Sequence, residues 1–248
     1  MKIIKPYSKF ADIYDHIMGH IDFKRWALFV LNSGFPNKIP KRALDLGCGT
    51  GTLFRYYPAM TYKVGLDISA EMIDTAKSNY PDMNFQVGDI RDFKFDMPFD
   101  LITCNHDTIN YLTSLDELDK HFRTIRNNLA DNGYYFFDVS SEKNLTDNFH
   151  EKIFRETIGD TFFIWENTYD QKNREIISSL YFGINSENGF HEYREVHKQR
   201  YYTNDELIYA LEKAGLELVK IGSDYKKWTY DKNASLINFK VKKKVISN

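Results

Sequence analysis

The sequence predicts an α/β fold: a mostly parallel sheet with helices on both faces, carrying an inserted antiparallel β lobe. Three observations predict it. From Lys41 onward short apolar runs alternate with helix-like segments, as parallel strands and their crossover helices do. The apolar run at 43–46 passes directly into Gly47, Gly49 and Gly51, the pattern of a backbone that turns sharply at the carboxyl end of a strand. Between 141 and 202 the helical period gives way to aromatic and β-branched stretches separated by Asn, Asp and Gly.

The N-terminal region reads as a helical cap, residues 1–40. Phe10, Ile13, Tyr14, Ile17, Met18 and Ile21 recur at three- and four-residue spacings and predict one amphipathic helix, and 26–31 predicts a second. Strands are expected at 43–46, 63–67, 84–87, 101–104 and 134–139. A helix should follow the glycine turn, and another should begin near Ala70 with Ser69 as its cap. Ser114 and Glu117 have the spacing of a capping box, with Leu115, Leu118, Phe122, Ile125 and Leu129 on one stripe and Gly133 as the stop. Thr203 and Glu206 repeat the device ahead of Leu207, Leu211 and the stop at Gly215, and 216–221 reads as a further strand. Antiparallel strands are expected at 161–169, 176–184 and 190–202. The chain thus divides into the cap, an α/β domain of 41–140 with 203–248, and a lobe of 141–202 that acts as a lid or substrate wall.

Composition removes whole classes of function. The 248 residues carry 33 Lys+Arg against 35 Asp+Glu, a net charge of -2, so no strongly basic face for nucleic acid is expected. Lys242, Lys243 and Lys244 read as a solvated terminus. No apolar run is long enough to span a bilayer, and the N-terminus lacks the pattern of a secretory signal, which predicts a cytoplasmic protein. Cys48 and Cys104 are too few for a disulfide framework or a zinc site, so both are expected as buried thiols and no metal is expected.

The chemistry concentrates at three strand ends. Without side chains in the way, the Gly47 to Gly51 turn lets a flat ligand approach closely. The spacing departs from the dinucleotide fingerprint at Thr52, and the Lys of a phosphate-cradling loop is absent. Asp67, about 20 residues further on at the tip of the next strand, is placed to accept both hydroxyls of a ribose, which fits adenosine. Asp89 closes the third strand, where a carboxylate is either a turn residue of the loop or an acceptor for the exocyclic amine of adenine, with Ile90, Ile68 and Met72 packed against the ring.

These stretches, with the fourth strand running into Asn105, His106 and Asp107, resemble the class I S-adenosylmethionine-dependent methyltransferases in order and spacing, chiefly over 41–139. The neighbourhoods of Tyr14, Trp26 and 105–111 are similar to the bacterial small-molecule subgroup of sugar-amine and glycine N-methyltransferase-like enzymes. The resemblance implies a Rossmann-like sheet and S-adenosyl-L-methionine as cofactor, leaving as S-adenosyl-L-homocysteine. It implies that Gly47, Cys48 and Gly49 face the methionine and ribose portions, that Asp67 holds the ribose, and that Asp89 and Ile90 hold adenine. Tyr14 would close over the donor, with Trp26 nearby. Asn105 and His106 would lie beside the sulfonium and the incoming nucleophile. The implied reaction is an in-line displacement by a small-molecule nucleophile, nitrogen or oxygen ahead of carbon. His106 is the first candidate to take a proton, and Asp107 would orient that ring or the substrate. The Asn-Pro-Pro-Tyr stretch of base and amide methyltransferases is absent, which disfavours those acceptors. His191 and His197, with Tyr193 and Tyr201, fall on one face of a proposed strand that either lines the acceptor pocket or faces solvent. An RNA methyltransferase, a nicotinamide-dependent oxidoreductase and a non-catalytic S-adenosylmethionine-binding protein remain open alternatives, as does a homodimer.

Overall fold

The computed structural model describes residues 1–245. Its elements are β1 (Lys2–Ile4), α1 (Phe10–Ile17), α2 (Phe23–Gly34), β2 (Arg42–Leu46), β3 (Tyr62–Asp67), α3 (Ala70–Asn79), β4 (Asn84–Val87), β5 (Phe99–Cys104), α4 (Leu115–Asn128) and β6 (Leu129–Ser140). There follow β7 (Ile153–Ile158), β8 (Thr161–Asp170), β9 (Glu175–Ser186), β10 (Gly189–Arg200), α5 (Asn204–Lys213), β11 (Leu216–Ser223) and β12 (Leu236–Lys243).

The main sheet has the order β11-β12-β6-β5-β2-β3-β4, parallel from β6 to β4, with β12 antiparallel to both β6 and β11. Both faces are covered, which is why its strands read as continuous apolar runs. Leu44, Leu46 and Ile102 pack with Leu118, Phe122 and Ile125 of α4 and Leu207 of α5. Ala43, Leu101 and Phe136 face the other way, onto Trp26 and Val30 of α2 and Ile73 of α3. Each such Leu, Val or Phe contributes about 1.5–3 kcal/mol by leaving water. Strand order reverses between β2 and β5, so a crevice opens at their carboxyl ends, the usual ligand position in such sheets.

The second sheet has the order β1-β10-β9-β8-β7, antiparallel except for β1, which runs parallel to β10. Helix α1 covers one of its faces: Phe10 and Ile13 pack on Phe163, Leu180 and Phe182, with the Phe10 and Phe163 rings stacked at 5.6 Å.

Several expectations need correction. The N-terminal segment is not wholly helical, because Lys2–Ile4 joins the lobe sheet. Helix α1 ends at Ile17, and α2 is longer than 26–31, capped by the Asp22 carboxylate on the Arg25 N–H. The helix expected after the glycine turn is only a 3-10 turn, Thr52–Tyr56, because Tyr57 is extended ahead of Pro58, as a residue preceding proline tends to be. Ser114 caps α4, but Glu117 reaches back to the Thr113 N–H, so the reciprocal box is completed only at Thr203 and Glu206. Leu129 starts β6 instead of ending α4. Gly133 is no helix stop: a Cβ there would sit 2.8 Å from the Phe99 carbonyl, so this glycine permits close approach of β6 to β5. Lys242 and Lys243 lie within β12, paired with Glu217 and Asp131. Cys48 and Cys104 are buried free thiols, as expected.

Candidate active site

The crevice is built from the loops after β2, β3 and β5. At its centre Gly47, Gly49 and Gly51 all adopt left-handed φ of 63°, 52° and 82°. A Cβ on Gly47 would meet Thr108 at 2.4 Å, so the glycine lets the 3-10 turn Thr108–Tyr111 close down on the loop. A Cβ on Gly49 would meet only Tyr14, at 3.9 Å, because that backbone faces the groove.

Asp67 ends β3 with only 8 % of its surface exposed. One carboxylate oxygen accepts the Gly49 N–H and the other the Ser69 N–H, each at 2.9 Å. Burial pushes its pKa up, and the backbone donors oppose that rise. Each oxygen retains a lone pair for a further donor. Ser69 itself caps α3 by accepting the Met72 N–H at 3.2 Å.

On the other side of the crevice His106 and Asp107 are non-glycine residues at φ 57° and 50°. Such strain collects at functional sites and persists only where neighbours over-determine it. Here the Asp138 carboxylate, fully buried on β6, accepts the N–H of His106 at 2.8 Å and that of Asp107 at 2.6 Å. Burial raises Asp138 to about 6. The Tyr225 hydroxyl bridges Asp138 and the Asn105 amide oxygen, while the Asn105 amide nitrogen is buried without a partner. Two residues before Gly47, Asp45 is buried beside the Thr103 hydroxyl at 2.7 Å, and burial lifts its pKa to about 7.

A cavity of about 670 Å³ lies next to this groove, between α1, the lobe sheet and the 105–111 segment. Its deep wall is aromatic, with Phe10, Phe163 and Trp165 among its residues, and Asp107, Tyr111 and His197 give it a polar side. Asp107 accepts the Ser140 hydroxyl at 2.7 Å and is raised to about 6 by burial. Groove and cavity meet at one hydrogen-bonded pair, the Tyr14 hydroxyl and Nδ1 of His106 at 2.9 Å, and both residues line both spaces. Burial holds the His106 imidazole below its usual range, so it is neutral at pH 7.

Comparisons with known proteins agree on what this arrangement is. Residues 43–133 match the family model of a methyltransferase domain. YqeM of Bacillus subtilis, a protein that carries the name of a methyltransferase, is 27% identical over 224 residues, covering 88% of this chain and 90% of its own. A solved S-adenosylmethionine-dependent methyltransferase from Clostridium acetobutylicum superposes with a TM-score of 0.82 at 26% identity, covering 96% of this chain and 99% of that one.

The protein is a class I S-adenosylmethionine-dependent methyltransferase.

A further relative, the dTDP-4-amino-2,3,4,6-tetradeoxy-D-glucose N,N-dimethyltransferase of Saccharopolyspora spinosa, is 38% identical over 91 residues, 36% of each chain. The methyltransferase's groove fits its cofactor on three counts: the side-chain-free edge at Gly49, the spare lone pairs of Asp67, and the orphaned amide of Asn105. The groove over the glycine loop is narrow, about 30 Å³, because Tyr14 and Phe23 lie across it. Asp15 ties α1 down in this position, accepting the Thr50 hydroxyl at 2.5 Å and the Asn79 amide at 3.0 Å.

Not every expected site residue is brought together. Tyr14, Gly47, Cys48, Gly49, Asn105 and His106 line the groove. Trp26 does not: it is buried behind His106, stacked on Tyr225 at 4.3 Å, and Phe23 takes the lining position one helical turn earlier. Met72 is 2 % exposed and offers no face to a ring, whereas Ile68 is 64 % exposed at the edge beyond Asp67, and Ile90 is half-buried. The Asp89 carboxylate is bonded to the Arg91 guanidinium, which also holds Glu117 and keeps Asp89 below the usual carboxylate range. The His106 ring is held by Tyr14 and not by Asp107. Of the four residues expected on one strand face, His197 alone lines the cavity; His191 is exposed, Tyr193 half-buried, and Tyr201 lies beyond β10. Asp45, Phe23 and Asp138 escaped the sequence reading, although an acid two positions before the glycine turn is a signal that could have marked Asp45.

Proposed function

We infer that this methyltransferase moves its methyl group to the nitrogen of a small-molecule acceptor held in the aromatic cavity. The observation that carries this reading is the hydrogen-bonded Tyr14 and His106 pair, which lines both the cavity and the cofactor groove. When bound, S-adenosylmethionine supplies an electrophilic methyl on a sulfonium.

The chain's own residues hold, orient and enclose. Asp67 takes the ribose hydroxyls, and Ile68 and Ile90 form an apolar shelf for adenine, with Asp89 at its edge. Walls from α1 and the lobe exclude water, and alignment of a nucleophile in such an enclosure is worth up to ~7–11 kcal/mol of barrier. The volume of about 670 Å³ lies in the range of small-molecule pockets and has room for a sugar with further substituents. Nitrogen is favoured over oxygen because a neutral amine attacks without a strong base, and the polar groups at the meeting point are a neutral imidazole and carboxylates. The Saccharopolyspora relative's name, an amino-sugar N,N-dimethyltransferase, points the same way. A proton released at this point has His106 as its first acceptor.

The test is transfer of radiolabelled methyl from S-adenosylmethionine to a panel of amino sugars, aryl amines, sugars and phenols, with the methylated atom located by mass spectrometry. Label on amine nitrogen is expected, and His106→Ala should lower kcat while leaving cofactor affinity intact. Label on hydroxyl oxygen, or only on RNA or protein added in parallel, would overturn the reading.

A further inference from the structure

Four polar side chains form a chain along one wall of the acceptor cavity, and their order fixes which way each proton points. Glu195 of β10 is fully buried, and its carboxylate accepts the backbone N–H groups of Tyr7 at 2.8 Å, Lys9 at 2.5 Å and Phe10 at 3.1 Å. Held by donors in this way, it is also an acceptor toward Nε2 of His197 at 3.0 Å. Nε2 is therefore the donor, and the Nε2–H tautomer leaves Nδ1 as an acceptor. The Tyr111 hydroxyl, 2.9 Å from Nδ1, must donate to it. Tyr111 has no second proton, so the Tyr7 hydroxyl, 2.7 Å away, donates to Tyr111. Tyr7 thus ends the chain with lone pairs and no free O–H.

Tyr7, Tyr111 and His197 all line the cavity, as does Asp107, whose carboxylate takes the Ser140 hydroxyl and keeps further lone pairs. The polar groups that face His197 are Glu195 on its own strand, Tyr111 from the segment after β5 and Tyr7 from the N-terminal segment, while Asp107 and Tyr14 act on Tyr111. β9 places Ser178 opposite His197. On this side the cavity offers hydrogen-bond acceptors.

We propose that Glu195, His197, Tyr111 and Tyr7 form a chain of fixed polarity whose open end, with Asp107, selects an acceptor that enters as a protonated amine and gives up one N–H proton, with His106 as its first acceptor, before the freed lone pair attacks the methyl. This rests on the reading that the cavity receives a small-molecule nitrogen nucleophile. Glu195 and His197 act as positioning residues, through Tyr111, on the Tyr7 hydroxyl at the open end of the chain.

The test uses the full chain saturated with S-adenosylhomocysteine and two isosteric probes, benzylammonium and benzyl alcohol, titrated calorimetrically at pH 7.5. Charge-assisted bonds to Tyr7 and Asp107 should make benzylammonium bind at least about tenfold tighter. Tyr7→Phe and His197→Leu should each cut that ratio, whereas His197→Gln, whose amide donates to Glu195 and accepts from Tyr111, should restore it. Nitrogen-15 NMR of the histidine rings, assigned by loss of the signal in His197→Gln, should show the Nε2–H tautomer at His197. Equal affinity for the two probes, no binding of benzylammonium at millimolar concentration, or an Nδ1–H tautomer overturns the proposal. Absence of methyl transfer is a separate result: it bears on the proposed reaction, while probe preference and tautomer bear on the chain.

Discussion

Replacing Asp67 with Asn changes one charge and one atom, and the structure separates its effects on binding and on stability. Each Asp67 oxygen accepts a backbone N–H, from Gly49 and from Ser69, and keeps one lone pair for a ribose hydroxyl. An amide in the same place turns its NH2 toward one of those N–H groups and toward one hydroxyl. One ribose bond is lost and the other ceases to be charge-assisted. With such bonds worth about 1.5–3 kcal/mol, the loss should be about 2–4 kcal/mol, or roughly 30- to 1,000-fold in Kd. Stability should move less, because two effects oppose. The amide repels a backbone N–H, but it also removes a carboxylate whose charge burial disfavours. Calorimetric titration with S-adenosylmethionine and S-adenosylhomocysteine, beside a thermal melt, reads both quantities. A variant that binds within threefold of wild type would refute Asp67 as the ribose anchor.

Tyr14→Phe, which removes the hydroxyl between groove and cavity, should lower kcat about tenfold in single-turnover assays while changing cofactor Kd less than threefold, as for a bond made at the reacting centre. Equal losses in binding and rate would place Tyr14 in cofactor binding alone. Asp15→Ala releases the tie of α1 to Thr50 and Asn79 and should speed S-adenosylmethionine association in stopped flow; an unchanged on-rate would mean that α1 does not gate the groove. Asp45 is raised from 3.8 to about 7, so the folded chain holds its proton more tightly than the unfolded chain does. Its contribution to stability is complete below about pH 4 and is lost as pH rises through about 7. Asp45→Asn should therefore melt above wild type at pH 8.5, by up to ~4 kcal/mol, with the gap narrowing as pH falls and closing near pH 4. A gap independent of pH would remove the buried charge from the explanation.

The sequence made the parallel strands legible because a sheet covered on both faces leaves uninterrupted apolar runs, and the glycine turn because glycine adopts left-handed φ without steric cost and leaves the loop free of side chains. β12 was hidden by its lysines: Lys240 is buried yet reaches the Ser33 carbonyl at 2.8 Å and lies 3.9 Å from the centre of the Tyr134 ring. Such a stem packs like an apolar side chain while its ammonium finds partners from distant segments. β1 and β7 are edge strands, and the short edge strand β1 gains its order from β10 more than from its own pattern. At the site, alternation placed His191 and His197 on one face but could not show that α1 covers only one end of it. That depends on Glu195 capturing the N–H groups that precede and begin α1, a contact across 185 or more residues. Trp26 and Phe23 are neighbours on one helix, and which of them lines the groove was settled by Tyr225, far along the chain.

The most direct measurement of the central claim is a crystal structure of the full chain with S-adenosylhomocysteine bound. The ribose hydroxyls should lie on the Asp67 carboxylate, and the sulfur should sit beside Tyr14 and His106 with its methyl-bearing direction toward the aromatic cavity. A nucleoside bound away from Asp67, or a sulfur turned from that cavity, would contradict the account.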